Sequence, residues 1–201
     1  MLFEKRTSDS HMKANKSPQP DDASLIEQIH VGDAKAFEQL FDRYESAVFR
    51  FCMVMLGDQD AAQDIHQETF FRFYQTCRQS KEVRSVYGWL ISAARSRCHN
   101  YLRDQKRHAQ LARKHHQESV LRPDYLNNMD IEDHIQQALL QIPAHYREVL
   151  SLYEVEGYSY KEIAEILDID FHQIKNRIYQ AKQSLQRILS PILNESDAHH
   201  K

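Results

Sequence analysis

The sequence predicts an all-α protein made of two small helical domains joined by a flexible linker, and three observations carry that expectation. Among 201 residues, prolines stand only at 18, 20, 123, 143 and 191, which leaves 21–122 and 144–190 free of helix breakers. Gly32, Gly57, Gly88 and Gly157 fall between runs of 3.6-residue periodicity, where helix ends and turns favour a residue that tolerates positive φ. No alternating β-branched segment of strand length occurs.

Residues 1–20, polar and carrying Pro18 and Pro20, are expected to form a disordered extension. Phe37, Leu40, Phe41, Tyr44, Val48, Phe51, Cys52 and Met55 then recur at helical spacing. After Val48 this helix is apolar nearly all round, so its second half should be buried. Gly57-Asp58 closes it, and Asp58 or Asp60 can cap the next helix, which runs to about Cys77. Another helix, from near Val86 to about Arg107, completes a first domain over 21–107. Residues 108–130 lose apolar periodicity after Leu111 and contain Pro123, Asn127 and Asn128, which marks a linker. Helices over 131–142, 144–156, 159–167 and 171–189 make a second domain, 131–190, followed by a tail, 191–201. Ser159 and Glu162 form the S-x-x-E box that starts the third of these.

The hydrophobic fraction of 41 % sets aside a disordered chain. The longest apolar stretch, from Val48 to Leu56, is broken by Arg50 and is far short of a membrane span, so no membrane insertion is expected. No apolar segment of the kind that directs secretion follows the basic start. Cys52, Cys77 and Cys98 are odd in number and widely spaced, which suits reduced thiols and a cytoplasmic location. The same spacing, without a CxxC pair, gives no reason to expect a metal despite 12 histidines.

A formal net charge of −3 hides strong segregation. Residues 21–68 hold 11 acidic and 3 basic side chains, a balance of −8. Residues 95–116 hold 7 Lys and Arg against 1 Asp, a balance of +6, and 171–189 hold 4 basic residues and no acidic one. Basic clusters of this kind suit a polyanion partner, although solvated helix faces would produce the same pattern.

Spacing sharpens the first basic patch. Trp89, Ser92, Ser96, Asn100, Arg103 and Arg107 line one face of their helix, opposite Leu90, Ala94, Cys98, Tyr101 and Leu102, with Arg95, His99 and Lys106 at the flanks. An aromatic, small hydroxyls, an amide and guanidiniums in a row suit a single nucleic-acid strand, which needs stacking and phosphate neutralisation. The alternative for Trp89 is plain packing against a neighbouring helix. In the second patch, a short capped helix, the turn Asp168-Ile169-Asp170 and a long helix have the proportions of a helix-turn-helix. Ile174, Ile178, Ala181, Leu185 and Ile188 share one sector of the long helix. The other side presents His172, Asn176, Tyr179, Gln183 and Arg187, with Gln173 and Lys175 at the edges, as major-groove readout requires. An ordinary helical hairpin with a polar outer face is the alternative. A third feature is the stripe Asp64, Gln67, Glu68 and Phe71, beside the apolar series Ile65, Thr69 and Phe73, which suits docking on a protein partner. No HExxH, Walker A, GxSxG or GxGxxG motif is present, and an enzyme is not expected.

With these pieces assembled, the chain resembles an extracytoplasmic-function (ECF) sigma factor, a bacterial promoter-recognition subunit of RNA polymerase. Leu40-Phe41-Asp42-Arg43-Tyr44, Gly57-Asp58, Ala61 through Phe70, and Gly88-Trp89-Leu90 to Tyr101-Leu102-Arg103 are similar to sigma region 2. Ile142-Pro143, Arg147-Glu148-Val149-Leu150, the run from Glu154 to Leu167, and Ile174 to Lys182 are similar to region 4. The linker has no room for a helical region 3, which resembles the ECF group. The resemblance implies that Asp64, Gln67 and Glu68 dock on the clamp helices of core RNA polymerase. It implies that the helix bearing Trp89, Ser92, Ser96, Asn100, Arg103 and Arg107, with the loop near 79–87, melts the −10 element of promoter DNA. His172, Gln173, Lys175, Asn176 and Tyr179 would contact the −35 element. An anti-sigma factor is an implied partner, and no cofactor is.

Some positions depart from the family pattern. Asp168 stands where the turn often has Gly and must accept a left-handed conformation. Ser96 and Asn100 replace the usual Asn and Asp of the melting helix, and Gln180 replaces a common Arg. Two rival readings are a sigma-like decoy that binds an anti-sigma factor without touching DNA, and a plain helix-turn-helix regulator. The second leaves 21–107 unexplained.

Overall fold

A computed structural model describes residues 20–79, 82–115 and 131–198. The expected extension over residues 1–20 lies outside these except for Pro20, as do residues 116–130 of the expected linker. All regular structure among the described residues is helical.

Asp21 accepts the Ser24 N–H (2.8 Å) and starts α1, Asp22–Val31. Asp33 accepts the Lys35 N–H (2.8 Å) and starts α2, Ala34–Leu56. As the spacing predicted, Leu40, Val48, Phe51, Cys52 and Met55 of α2 are fully buried. Gly57, at φ +64°, ends α2, and Asp58 rather than Asp60 caps α3, Gln59–Arg78, through the Ala61 N–H at 3.0 Å. Inside α3, His66 lies among the rings of Phe41, Phe49 and Phe70, with its Nε2 3.2 Å from the Glu45 carbonyl.

α4 spans Val86–His115, so Gly88 lies in its first turn rather than between elements, and residues 108–115 of the expected linker are helical. Its end escaped periodicity because residues 103–111 are exposed on every side, leaving no apolar stripe to follow.

The second unit begins with α5, Ile131–Gln141, and α6, Ala144–Leu150. The helix expected over 144–156 does not stay α-helical, because Ser151–Val155 widens into a π turn, with the Glu156 N–H bonded to the Ser151 carbonyl at 3.1 Å. α7 is Tyr160–Leu167 and carries the expected capping box: the Ser159 N–H donates to Glu162 (2.8 Å) and the Glu162 N–H to Ser159 Oγ (3.4 Å). Asp168 adopts φ +53°, the left-handed conformation that the family pattern implied for this turn, and its N–H closes on the Ala164 carbonyl. α8 is Phe171–Ala198, so most of the expected tail is helix. Pro191 cannot donate to the Arg187 carbonyl, and the Ser190 hydroxyl does so instead at 3.1 Å, which lets the helix continue.

The two units share one core. Buried side chains run without a break from Leu25, Phe51, Phe73 and Leu90 into Val149, Leu152, Ile163 and Ile174. The seam between units sets α6 and α7 against α2 and α4. There the Tyr87 and Tyr158 rings stack at 4.9 Å, and Gln136 Nε2 donates to the Met53 carbonyl at 2.8 Å. Leu140 lies over Gly57 so closely that a Cβ would meet its Cδ1 at 2.4 Å.

Candidate nucleic-acid interface

The helix-turn-helix is built from α7, the Asp168 turn and α8. Asp170 Oδ1 accepts the N–H groups of His172 (2.8 Å) and Gln173 (3.3 Å), which fixes the start of α8. Ile174, Ile178 and Ala181 anchor one face of α8 in the interior, so the opposite face is held rigidly outward. His172, Gln173, Lys175, Asn176 and Tyr179 are all exposed on that face. Gln183 donates to the Tyr179 hydroxyl at 2.6 Å and steadies the ring, which is 57 % exposed.

α4 divides as its spacing predicted. Leu90, Ala94 and Cys98 are buried, whereas Ser92, Ser96, Asn100, Arg103 and Arg107 are exposed. Trp89 packs against a neighbouring helix and keeps part of its ring open. It is half-buried, with its ring 5.4 Å from Phe73, and it also lines an open cleft of about 510 Å³ with Ser92 on one side and Glu165 and Ile166 of α7 on the other.

Asp64, Gln67, Glu68 and Phe71 share an exposed face of α3 above buried Ile65, Thr69 and Phe73. Glu68 is ion-paired with Arg97 of α4 and with Arg72 one turn on (3.4 Å). The carboxylates of Asp64 and Glu68 therefore differ: one faces solvent alone on this stripe, and the other is partly neutralised by its own fold.

One charged cluster was not singled out from sequence. Glu148 of α6 is fully buried at the seam and accepts from three cationic or imidazole donors. Arg95 reaches it at 2.8 and 3.3 Å, His99 Nε2 at 2.7 Å, and Arg177 of its own unit at 3.0 Å. Because a carboxylate only accepts, the His99 Nε2 must carry the proton of that bond. Burial by itself would raise the Glu148 carboxyl, but the hydrogen bonds from His99 and Arg95 and their charges together hold it below the ordinary Glu range. Beside it, Arg147 is 4 % exposed and its Nε has no hydrogen-bond partner, nor has the buried Ser151 Oγ. Nearby, Arg50 of α2 holds Glu156 through two bonds of 2.9 and 3.0 Å. No periodic signal pairs Arg95 with a Glu 53 residues away, which is why the spacing of apolar residues did not reveal the cluster.

A helix led by Trp89 with exposed arginines and an outward-facing helix-turn-helix thus stand on one chain, and comparison with known proteins places that pair in the sigma-70 class of transcription initiation factors. Residues 40–108 match the family model for sigma-70 region 2 and residues 132–185 that for sigma-70 region 4, and the chain belongs to this family. Within it the chain is an ECF sigma factor. The RNA polymerase sigma-H factor of Pseudomonas aeruginosa is 27 % identical over 190 residues, covering 89 % of this chain and 98 % of that one. The ECF sigma factor SigW of Bacillus subtilis is 30 % identical over 180 residues, covering 82 % and 94 %. Among solved structures, the sigma factor RpoE of Bartonella quintana, in complex with the anti-sigma factor NepR, aligns with a TM-score of 0.62 at 25 % identity, covering 78 % of this chain and 98 % of that one.

Proposed function

We propose that the chain directs core RNA polymerase to promoters with the residues singled out above, as a non-enzymatic cytoplasmic subunit. Promoter recognition follows from its place among ECF sigma factors; the assignment to side chains is our reading. His172, Gln173, Lys175, Asn176 and Tyr179 read the −35 element in the major groove. Trp89, Ser92, Ser96, Asn100, Arg103 and Arg107 hold the non-template strand of the melted −10 element. Asp64, Gln67 and Glu68 dock on the clamp helices of the polymerase, and an anti-sigma factor covers these surfaces when transcription is off. The polymerase performs the chemistry.

The observation that supports this most is the outward face of α8: all five reading side chains are exposed while the opposite sector is locked in the core. A decoy that never touches DNA has no use for such a face. Reconstitution with core polymerase and run-off transcription on genomic fragments tests the reading. Promoter-dependent product is expected; capture of a small regulator with no product from any core would support the decoy instead.

A further inference from the structure

Phe171 is the first residue of α8 and stands 44 % exposed at the start of the helix proposed to face DNA. Packing does not account for a large apolar side chain there. The turn before it is already closed by Ile169, which packs against the core and bonds its N–H to the Ala164 carbonyl at 3.0 Å. Asp170 holds the first turn of α8: its carbonyl accepts the Ile174 N–H at 3.0 Å and its side chain caps the helix, so the backbone under Phe171 is fixed. The Phe171 ring meets the His172 ring edge to face, with centroids 5.8 Å apart.

Spacing carries this ring toward the reading side. Phe171, Lys175 and Tyr179 follow one another at four-residue steps, about 6 Å of rise each, and form one exposed edge of α8 that runs from the border of the buried sector to the outward face. The N-terminal residues of a recognition helix are the ones that reach base edges. The five side chains already assigned to the −35 element all carry a polar group and read by hydrogen bonds. A phenyl ring has neither a donor nor a charge to offer a phosphate, so the sugar–phosphate backbone gives it little. What the major groove offers an apolar side chain is the methyl group of thymine, which cytosine lacks.

We infer that Phe171 is a further specificity-determining residue of α8, and that it selects a thymine in the −35 element by packing its ring on the thymine methyl group, beside the base or phosphate that Lys175 contacts. The capped backbone and the His172 ring place it before DNA arrives, so little ordering entropy offsets the contact. This rests on the reading of α8 given above.

Deoxyuridine scanning of a promoter recovered by run-off transcription tests it, with the full chain bound to core polymerase. Each thymine of the upstream element, on either strand, is replaced in turn by deoxyuridine, which removes the methyl group and keeps every hydrogen-bonding atom. Affinity of the parent holoenzyme should fall about fourfold at one position, the worth of one methyl group taken from water. With Phe171→Ala the same replacement should leave affinity unchanged, and Phe171→Leu, which keeps an apolar side chain, should bring the sensitivity back. No thymine at which the parent responds, or an equal response in the parent and in Phe171→Ala, overturns the inference. If Lys175→Ala with Asn176→Ala leaves the preference for the upstream element unchanged, the reading of α8 has failed, and the inference falls with it.

Discussion

Replacing Glu148 with Gln keeps the shape of the side chain and removes the charge that the seam is built around. The parent carboxylate is fully buried, with contacts of 2.7 to 3.3 Å to Arg95, His99 and Arg177. Breaking a buried ion pair from one side costs about 3–5 kcal/mol, because the surviving charge stays desolvated. Here the surviving cations are only partly buried, at 31 % exposure for Arg95 and 25 % for Arg177, so the loss belongs at the lower end, about 3 kcal/mol. At about 2–4 °C per kcal/mol for a chain of this size, the thermal midpoint should fall by about 6–12 °C. A double-mutant cycle divides the loss. Arg177→Met reports the coupling inside the second unit and Arg95→Met the coupling across the seam, and each should reach about 1 kcal/mol. The reasoning fails if Glu148→Gln shifts the midpoint by less than about 2 °C, or if Arg95 and Glu148 prove additive.

Other consequences are open to direct measurement. Asn176→Ala should cost about 1–3 kcal/mol of discrimination at one base pair of the upstream element, read by binding to a panel of single-base variants; an equal loss on every sequence would mean that Asn176 only touches the backbone. Arg103→Ala with Arg107→Ala should lower open-complex yield and reduce the slope of log affinity for single-stranded DNA against log salt by about 1.4. Burial lowers the His66 pKa, so the folded state binds fewer protons there than the unfolded one, and stability should decline as pH falls below about 6.5. His66→Phe, placed among Phe41, Phe49 and Phe70, should flatten that limb of the thermal midpoint between about pH 6.5 and 5, and an unchanged limb would assign it to another group.

What could be read from the sequence, and what could not, divides along a physical line. Local chemistry was legible: the apolar spacing of α2 and the Ser159–Glu162 box each involve residues within a few positions of one another, while the left-handed Asp168 followed only from the family pattern. The outward stripes of α4 and α8 were legible for the same reason, since a helix face is a statement about spacing. Helix ends were less so: α4 runs past Arg107 on a stretch exposed through Leu111, and α8 runs past a proline whose missing bond a neighbouring hydroxyl supplies. The seam was the least legible. Arg50 and Glu156 are 106 positions apart, and each looks like an ordinary surface charge until the fold brings them together.

The π turn at Ser151–Val155 takes up one residue more than an α-helical turn needs, so the Glu156 N–H reaches back to the Ser151 carbonyl. Glu156 and Tyr158, just beyond it, meet Arg50 and Tyr87. The extra residue therefore sits at the joint by which the helix-turn-helix half grips its neighbour. A chain shorter by one position here would close the same stretch as ordinary α-helix, and the loss would fall on those two contacts rather than on the outward face of α8.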